Sequence, residues 1–335
     1  GAVDLLVVGR FGSTSGLSAV STGSQVLNLV TFVVIQFAMG ITVLIARYLG
    51  EKKPQQIGAV VGGASIVFTI ISAVLFVVMV FFARPIAILM QAPEAAVDQT
   101  ASYIRICGGG IFFIVAYNLL SSIFRGLGDS QSPLLFVLVA CIVNVIGDLA
   151  LVAGLHMDAA GAAIATTIGN VMASAYYLWY FVKKSQNFSI LPKDFSLENR
   201  LAATVCSCGL PTAIFSMLMS LSTIILNQIL VAYGNAPVAA IGIVFKANMF
   251  ITFLQMGLAN GVQPLLGYNF GSGDTKRFHA VESYTKKCCL IVGILATALF
   301  FFFRRPIIQM FINEQQTWAI EDKHSHHVIG SVGLH

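Results

Sequence analysis

The chain has 335 residues, of which 57% are hydrophobic and only 10% charged, and its mean hydropathy is +0.85. A soluble domain carries about a quarter charged residues, so this composition excludes a water-soluble globule and makes the bilayer the solvent. The net charge of +5 is spread over separate loops, which excludes the continuous basic stripe of a nucleic-acid partner.

An apolar stub, Ala2–Val8, opens the chain, and a polar turn at Gly9–Ser15 follows it. Apolar runs long enough to cross about 30 Å of hydrocarbon then occur at Ser24–Leu49, Gly58–Phe82, Ala101–Phe124, Pro133–Leu155 and Ala160–Val182. A polar stretch at 183–200 reads as a linker, with Ser196 as a helix N-cap candidate. Three more runs follow at Leu201–Ala232, Val238–Leu266 and Lys287–Phe303. The reading is eight full spans and a partial first helix. Residues 316–335, with four histidines, match nothing earlier and read as an unrelated extension rather than a metal site.

The segment Ala19–Met90 recurs without a gap 221 residues later as Ala240–Phe311. Thr31 and Phe32 fall on Thr252 and Phe253, Gly50 on Gly271, and Arg84-Pro85-Ile86 on Arg305-Pro306-Ile307. An internal repeat of long apolar segments is the mark of a secondary transporter, in which two related bundles rock about a shared midplane site. The predicted fold is therefore an all-α polytopic membrane protein, a two-lobe helical bundle. Its parts are an N-terminal lobe at 1–182, the linker at 183–200, a C-terminal lobe at 201–315 and the tail at 316–335. By the repeat, roughly 20 residues of the first helix are expected to be missing, and no counterpart of Ala101–Val182 follows Phe311.

Lys and Arg in short loops set orientation. Arg47, Lys52, Lys53, Arg125, Lys183, Lys184, Lys193, Arg200, Lys276, Arg277, Lys286 and Lys287 lie in alternate loops, which places those loops and the linker in the cytoplasm. The six cysteines mostly fall inside apolar runs and read as packing residues, and Cys206-x-Cys208 is too short for zinc spacing. No metal and no cofactor is implied. No span offers a nucleophile with its base, which excludes an enzyme.

Ionisable groups inside a span cost roughly 2.5–3.5 kcal/mol on the insertion scale and so mark function. Asp148 and Asn144 are one helical turn apart on one face. Thr166 lies as far after the turn at His156–Asp158 as Asp148 lies before it, at a depth of roughly 12–15 Å. Acid, amide and hydroxyl thus converge into a group able to hold a proton or a small cation. A polar knot fastening two helices is the competing reading. Asp4 lies at a similar depth and forms a coupled acid pair with Asp148, or else reaches water at its helix end. Asn118 and Lys246 are cavity candidates, with helix packing and outward snorkelling as their respective alternatives. Arg105 reads as a snorkelling anchor.

Val3-Asp4-Leu5-Leu6-Val7-Val8-Gly9-Arg10, Ala46-Arg47-Tyr48-Leu49-Gly50, Phe124-Arg125-Gly126-Leu127-Gly128-Asp129-Ser130 and Asn144-x-x-x-Asp148 resemble the multidrug and toxic compound extrusion (MATE) family. So do Gly161-Ala162-Ala163-Ile164-Ala165-Thr166 and Gly261-Val262-Gln263-Pro264 with Gly267-Tyr268-Asn269-x-Gly271. The resemblance covers Ala2 to about Phe311. It implies an antiporter in a bacterial plasma membrane that exports small-molecule drugs and organic cations, acting as a monomer in the lipid bilayer. Asp4, Asn144, Asp148 and Thr166 would couple export to protons or sodium, and Gln263 joins Asn118 and Lys246 among the cavity residues. The alternative is a lipid-linked oligosaccharide flippase of the same superfamily, whose cavity would need several positive charges where Lys246 alone is on offer.

Overall fold

The computed structural model describes residues 2–184 and 235–306, together with residues 207, 210, 211, 214, 215, 218, 219, 221–223, 225, 226, 228–230, 233 and 309. The linker beyond Lys184, most of the run at Leu201–Ala232 and the tail lie outside the described residues. Every described element is helical. In chain order these are α1 (Ala2–Phe11), α2 (Thr14–Gly50), α3 (Pro54–Phe81), α4 (Ala83–Leu89), α5 (Val97–Gly109), α6 (Ile111–Gly126), α7 (Gln131–Asp148), α8 (Asp158–Lys184), α9 (Asn235–Gly271) and α10 (Thr275–Phe302).

The repeat governs the backbone. α9 and α10 begin and end at the repeat counterparts of the bounds of α2 and α3, with 37 residues in α2 and α9 and 28 in α3 and α10. Even the turn conformation recurs, since Lys52 at φ 56° and its counterpart Gly273 at φ 73° both occupy the left-handed region.

The predicted span at Ala101–Phe124 is not one helix. It is α5 and α6, bent by 51° at their junction. The cause is the glycine run Gly108-Gly109-Gly110. A Cβ on Gly108 would lie 2.7 Å from the Met79 Cβ of α3, and one on Gly110 would collide with Thr167 of α8. The missing side chains let both neighbours approach while leaving the backbone free to turn.

α7 shows how sequence sets the faces. Leu134, Leu138, Ile142 and Ile146, four residues apart, are each at least half exposed along one stripe. A stripe of this kind suits acyl chains. The opposite face packs on α8 through small residues, where a Cβ on Gly147 would come 2.9 Å from Ala165 Cβ and one on Gly169 3.0 Å from the Ala140 carbonyl. Such close backbone approach is how helices associate when lipid offers no hydrophobic drive. After Asp148 the helix widens into a π turn, Leu149–Gly154, a form often found at functional positions.

Two contacts fix the ends of the bundle. At one, Asp158, itself at φ 53°, accepts hydrogen bonds from the backbone N–H of Ser13 at 3.2 Å and from its hydroxyl. Ser13 in turn caps α2, accepting from Gly16 N–H at 2.9 Å. A Cβ on Gly12 would stand 2.6 Å from the Asp158 carboxylate, and one on Gly16 would also meet it. The α1–α2 turn is therefore clamped to the start of α8.

At the other end, α2 crosses its own repeat partner, α9. A Cβ on Gly50 would strike the Tyr268 carbonyl, and one on Gly271 would strike the Arg47 carbonyl. Gly50 and Gly271 are repeat counterparts, as are Arg47 and Tyr268, so the seam has local two-fold character. Gly267 adds a third close point, 3.0 Å from the Val43 carbonyl for an added Cβ, and the Arg47 guanidinium stands 5.4 Å from the Phe270 ring centroid. In the adjoining turn Glu51 accepts from Arg47 and Lys53, each at 2.8 Å. Hydrogen bonds from Lys53 and then Arg47 hold the Glu51 carboxyl below its ordinary pKa.

Every buried apolar side chain among the described residues lies between Val7 and Tyr177, with Tyr103, Tyr177, Phe68 and Phe136 the largest fully buried ones. The core thus sits inside the bundle formed by α1 to α8, which is where the site lies.

Candidate functional site

Asp4 on α1 and Asp148 at the end of α7 are both fully buried. Asp4, for which the sequence left open a surface position at its helix end, has no exposed side-chain area. Thr166 of α8 donates its hydroxyl to Asp4 Oδ2 at 3.0 Å, and the Asn144 amide lies 3.1 Å from the same hydroxyl. Three helices distant in sequence therefore meet through Asp4, Asn144 and Thr166, with Asp148 alongside Asp4.

Only one of the two amide orientations of Asn144 satisfies its surroundings. With its oxygen toward Asp4 its nitrogen meets Thr166 Oγ1, as above. With the amide turned over, Nδ2 donates to Asp4 Oδ1 at 3.2 Å while Oδ1 accepts from Thr166 N–H at 3.3 Å and lies 3.1 Å from Thr166 Oγ1, whose single proton goes either to it or to Asp4 Oδ2. The second orientation suits an ionised Asp4, since an amide oxygen facing a carboxylate oxygen is repulsive.

Neither Asp148 oxygen has a hydrogen-bond donor among the described residues. Its neighbour is the Asp4 carboxyl. Two carboxyl groups in contact attract only when a proton stands between them. The donor set is otherwise all oxygen, from two carboxyls, an amide and a hydroxyl, a combination suited to a proton or a small hard cation. Among the described residues no three His, Cys, Asp or Glu side chains cluster as a metal site.

Two residues escaped the sequence reading. Tyr103 and Cys107, one turn apart on α5, are almost or fully buried, and both stand within electrostatic range of Asp4, with Tyr103 also near Asp148. Cys107 reads from sequence as a packing residue, and only the fold reveals its neighbours. The Tyr103 ring reaches this position because it lies against Gly23 of α2, where a Cβ would collide with it.

Asn118 is 5% exposed and donates to the Ile114 carbonyl of its own helix at 2.7 Å, which ties its amide to α6. Gln263 lies on α9 beside Pro264, and its buried Oε1 has no partner among the described residues. Lys246 falls within α9, but its side chain lies outside the described residues. Arg105 is exposed.

Comparison with known proteins gives a consistent result. The MatE family model matches residues 1–149 and 211–325. The multidrug export protein MepA of Staphylococcus saprophyticus is 26% identical over 315 residues, which cover 94% of this chain and 69% of the relative. MepA of Staphylococcus haemolyticus is 26% identical over 324 residues, covering 94% and 70%. Among solved structures, a MATE in the bent conformation superposes with a TM-score of 0.86 at 22% identity, over 93% of this chain and 70% of its own. A MOP superfamily transporter from Pyrococcus furiosus, described as having a binding pocket of reverse polarity, gives 0.84 at 22% identity over 92% and 69%. The fold similarity spans nearly all of the chain.

Proposed function

The chain belongs to the MatE family of multidrug and toxic compound extrusion transporters, and from that premise we propose that it exports small organic compounds, often cationic, in exchange for protons entering through the Asp4–Asp148 group. The observation that carries the reading is the buried acid pair itself. Two fully buried carboxyls, one of them without a donor, are costly to maintain inside a membrane bundle unless their protonation changes during work. Protonation from outside neutralises the pair and is coupled to release of cargo. By linkage, cargo and proton then disfavour each other's binding by the same factor.

The multidrug export activity of the staphylococcal relatives supports the cargo class, and the all-oxygen donor set supports the coupling ion, with sodium as the alternative occupant. The test is efflux of a fluorescent cationic dye from cells producing the protein. Export is expected to collapse with a protonophore and to persist in sodium-free medium. Export that follows the sodium gradient instead would overturn proton coupling, and absence of export under either gradient would overturn the cargo class.

Sidedness follows from the basic loops. The turn holding Glu51–Lys53 and its counterpart Ser272–Asp274 are assigned to the cytoplasm, so the α2–α9 seam closes the cytoplasmic end. An epitope placed at 183–200 is expected to be protected in intact cells and one at 234–237 accessible; the reverse labelling pattern would invert this assignment.

A further inference from the structure

We propose that the hollow between the α6–α7 turn and the adjoining end of α8 binds the headgroup of an anionic phospholipid, whose acyl chains run along the exposed stripe of α7. The site lies outside the acid cluster, and only its assignment to the cytoplasmic leaflet rests on the sidedness proposed above.

The sequence Phe124-Arg125-Gly126-Leu127-Gly128-Asp129-Ser130 ends α6 and reaches α7 in four residues. Two glycines permit so short a turn. A Cβ on Gly126 would lie 2.8 Å from the Ile45 Cβ of α2, and Gly128 holds φ 87°. The turn encloses a cavity of about 650 Å³ whose lining includes Leu127, Asp129, Gln131, Ser132, Leu135 and Tyr180. Asp129, the one carboxylate among the described lining residues, is turned to the start of α7. It accepts from Ser132 N–H at 3.0 Å and from its hydroxyl at 2.7 Å.

The neighbouring cations are not engaged in this way. Arg125 is half-buried, its Nε is enclosed without an acceptor, and it has no carboxylate partner among the described residues. Tyr177, one turn from the lining Tyr180, stands within electrostatic range of both Arg125 and Asp129, which sets the guanidinium at the inner edge of the hollow. A buried donor left unpaired is costly, and a phosphate oxygen is the acceptor that a guanidinium matches best. At the outer edge, Tyr176, Trp179, Tyr180 and Lys183 share one face of α8 by their spacing. Lys183 is exposed, with Nζ 5.0 Å from the Trp179 ring centroid, and Trp179 stacks on Tyr176 at 5.7 Å. Tyr176 in turn meets Phe136 of α7 edge-on at 4.8 Å.

What adjoins the cations selects a lipid. Leu134, Leu138, Ile142 and Ile146 lead away from the hollow along the exposed face of α7. Trp and Tyr side chains settle at headgroup level, and Lys and Arg at the cytoplasmic surface attract anionic lipids. A soluble anion would use the two cations and give the apolar stripe and the half-exposed Trp179 no part.

The test is quenching of tryptophan fluorescence by brominated lipid. The chain has two tryptophans, so Trp318→Phe leaves Trp179 as the reporter in the full chain reconstituted in bilayers. Mixtures of phosphatidylglycerol and phosphatidylcholine carry bromine on one lipid or on the other, at equal mole fraction. Brominated phosphatidylglycerol is expected to quench more strongly, by a preference of roughly five-fold for each cation engaged. Lys183→Gln and Arg125→Gln should each reduce that preference, and Lys286→Gln on α10 should not. Should Arg125→Gln fail to insert, the exposed Lys183 decides alone. Equal quenching by the two lipids would overturn the proposal. So would an equal loss in the Lys183 and Lys286 variants, which would reveal attraction by overall charge. Inorganic phosphate that erases the preference at constant ionic strength would make the site one for a soluble anion and overturn the lipid. None of these outcomes depends on the dye-export or epitope results.

Discussion

Asp148→Asn is expected to abolish gradient-driven export while leaving the protein folded and inserted. The two halves of this expectation come from one observation. Neither Asp148 oxygen has a donor among the described residues, and its neighbour is a second carboxyl. An amide of the same shape supplies a donor toward Asp4, replacing an acid–acid contact with an ordinary hydrogen bond of about 1 kcal/mol. Thermal stability in detergent should therefore be unchanged or slightly higher. What the amide lacks is the ability to take up and release a proton, so dye export should fall to that of cells without the transporter. A variant that still concentrates dye against its gradient would make Asp148 a structural residue, and one that fails to fold would show that the acid is needed for packing.

The second large effect is expected at the seam between α2 and α9. In Gly271→Val the new side chain meets the Arg47 carbonyl, and in Gly50→Val it meets the Tyr268 carbonyl. Both obstacles are helix backbone, which cannot rotate aside as a long side chain would. Overpacking of this kind costs roughly 1–3 kcal/mol, and here the strain is relieved by separating the two helices at the end assigned to the cytoplasm. The variants should melt earlier, and a cysteine introduced at Ala46, facing Gly267, should react faster with a thiol reagent in inverted membranes. Gly257 on the same helix is the control, because a Cβ there meets nothing within 4 Å. Gly257→Ala should be neutral or stabilising by up to about 1 kcal/mol through helix propensity. Equal behaviour of Gly257 and Gly271 variants would remove the seam from the account.

Much of this arrangement is legible in the amino-acid sequence because the relevant spacings are local or repeated. A constant offset without gaps fixes α9 and α10 from α2 and α3. The Asn144–Asp148 pair follows from one helical turn, and Thr166 from its distance to a short turn, since antiparallel neighbours return to the same depth at the same rise per residue. The glycine run at Gly108–Gly110 reads within a hydrophobic run as three tolerated residues, and its effect depends on the Met79 and Thr167 contacts of other helices. The places of Tyr103 and Cys107 depend on how α5 leans after that bend, which no periodicity encodes. The clamp of Asp158 on Ser13 joins residues 145 apart, a pairing set by tertiary packing alone. The π turn after Asp148 is likewise invisible to a pattern that counts 3.6 residues per turn.

A contact between two copies of one sequence is an isologous interface, the kind found in two-fold symmetric dimers, and the α2–α9 seam has this form within a single chain. Gly50 against the Tyr268 carbonyl is answered by Gly271 against the Arg47 carbonyl. In such an interface a change acceptable on one side is not automatically acceptable on the other once the copies have diverged. That divergence is visible one turn beyond the crossing, where Glu51, Lys52 and Lys53 of the first copy correspond to Ser272, Gly273 and Asp274 of the second. Lys53 and Asp274 carry opposite charges at equivalent positions. The helices therefore keep a shared shape where backbones touch and acquire individuality where the chain meets water, so the two halves fit each other as twins but present different electrostatic faces to whatever approaches from that side.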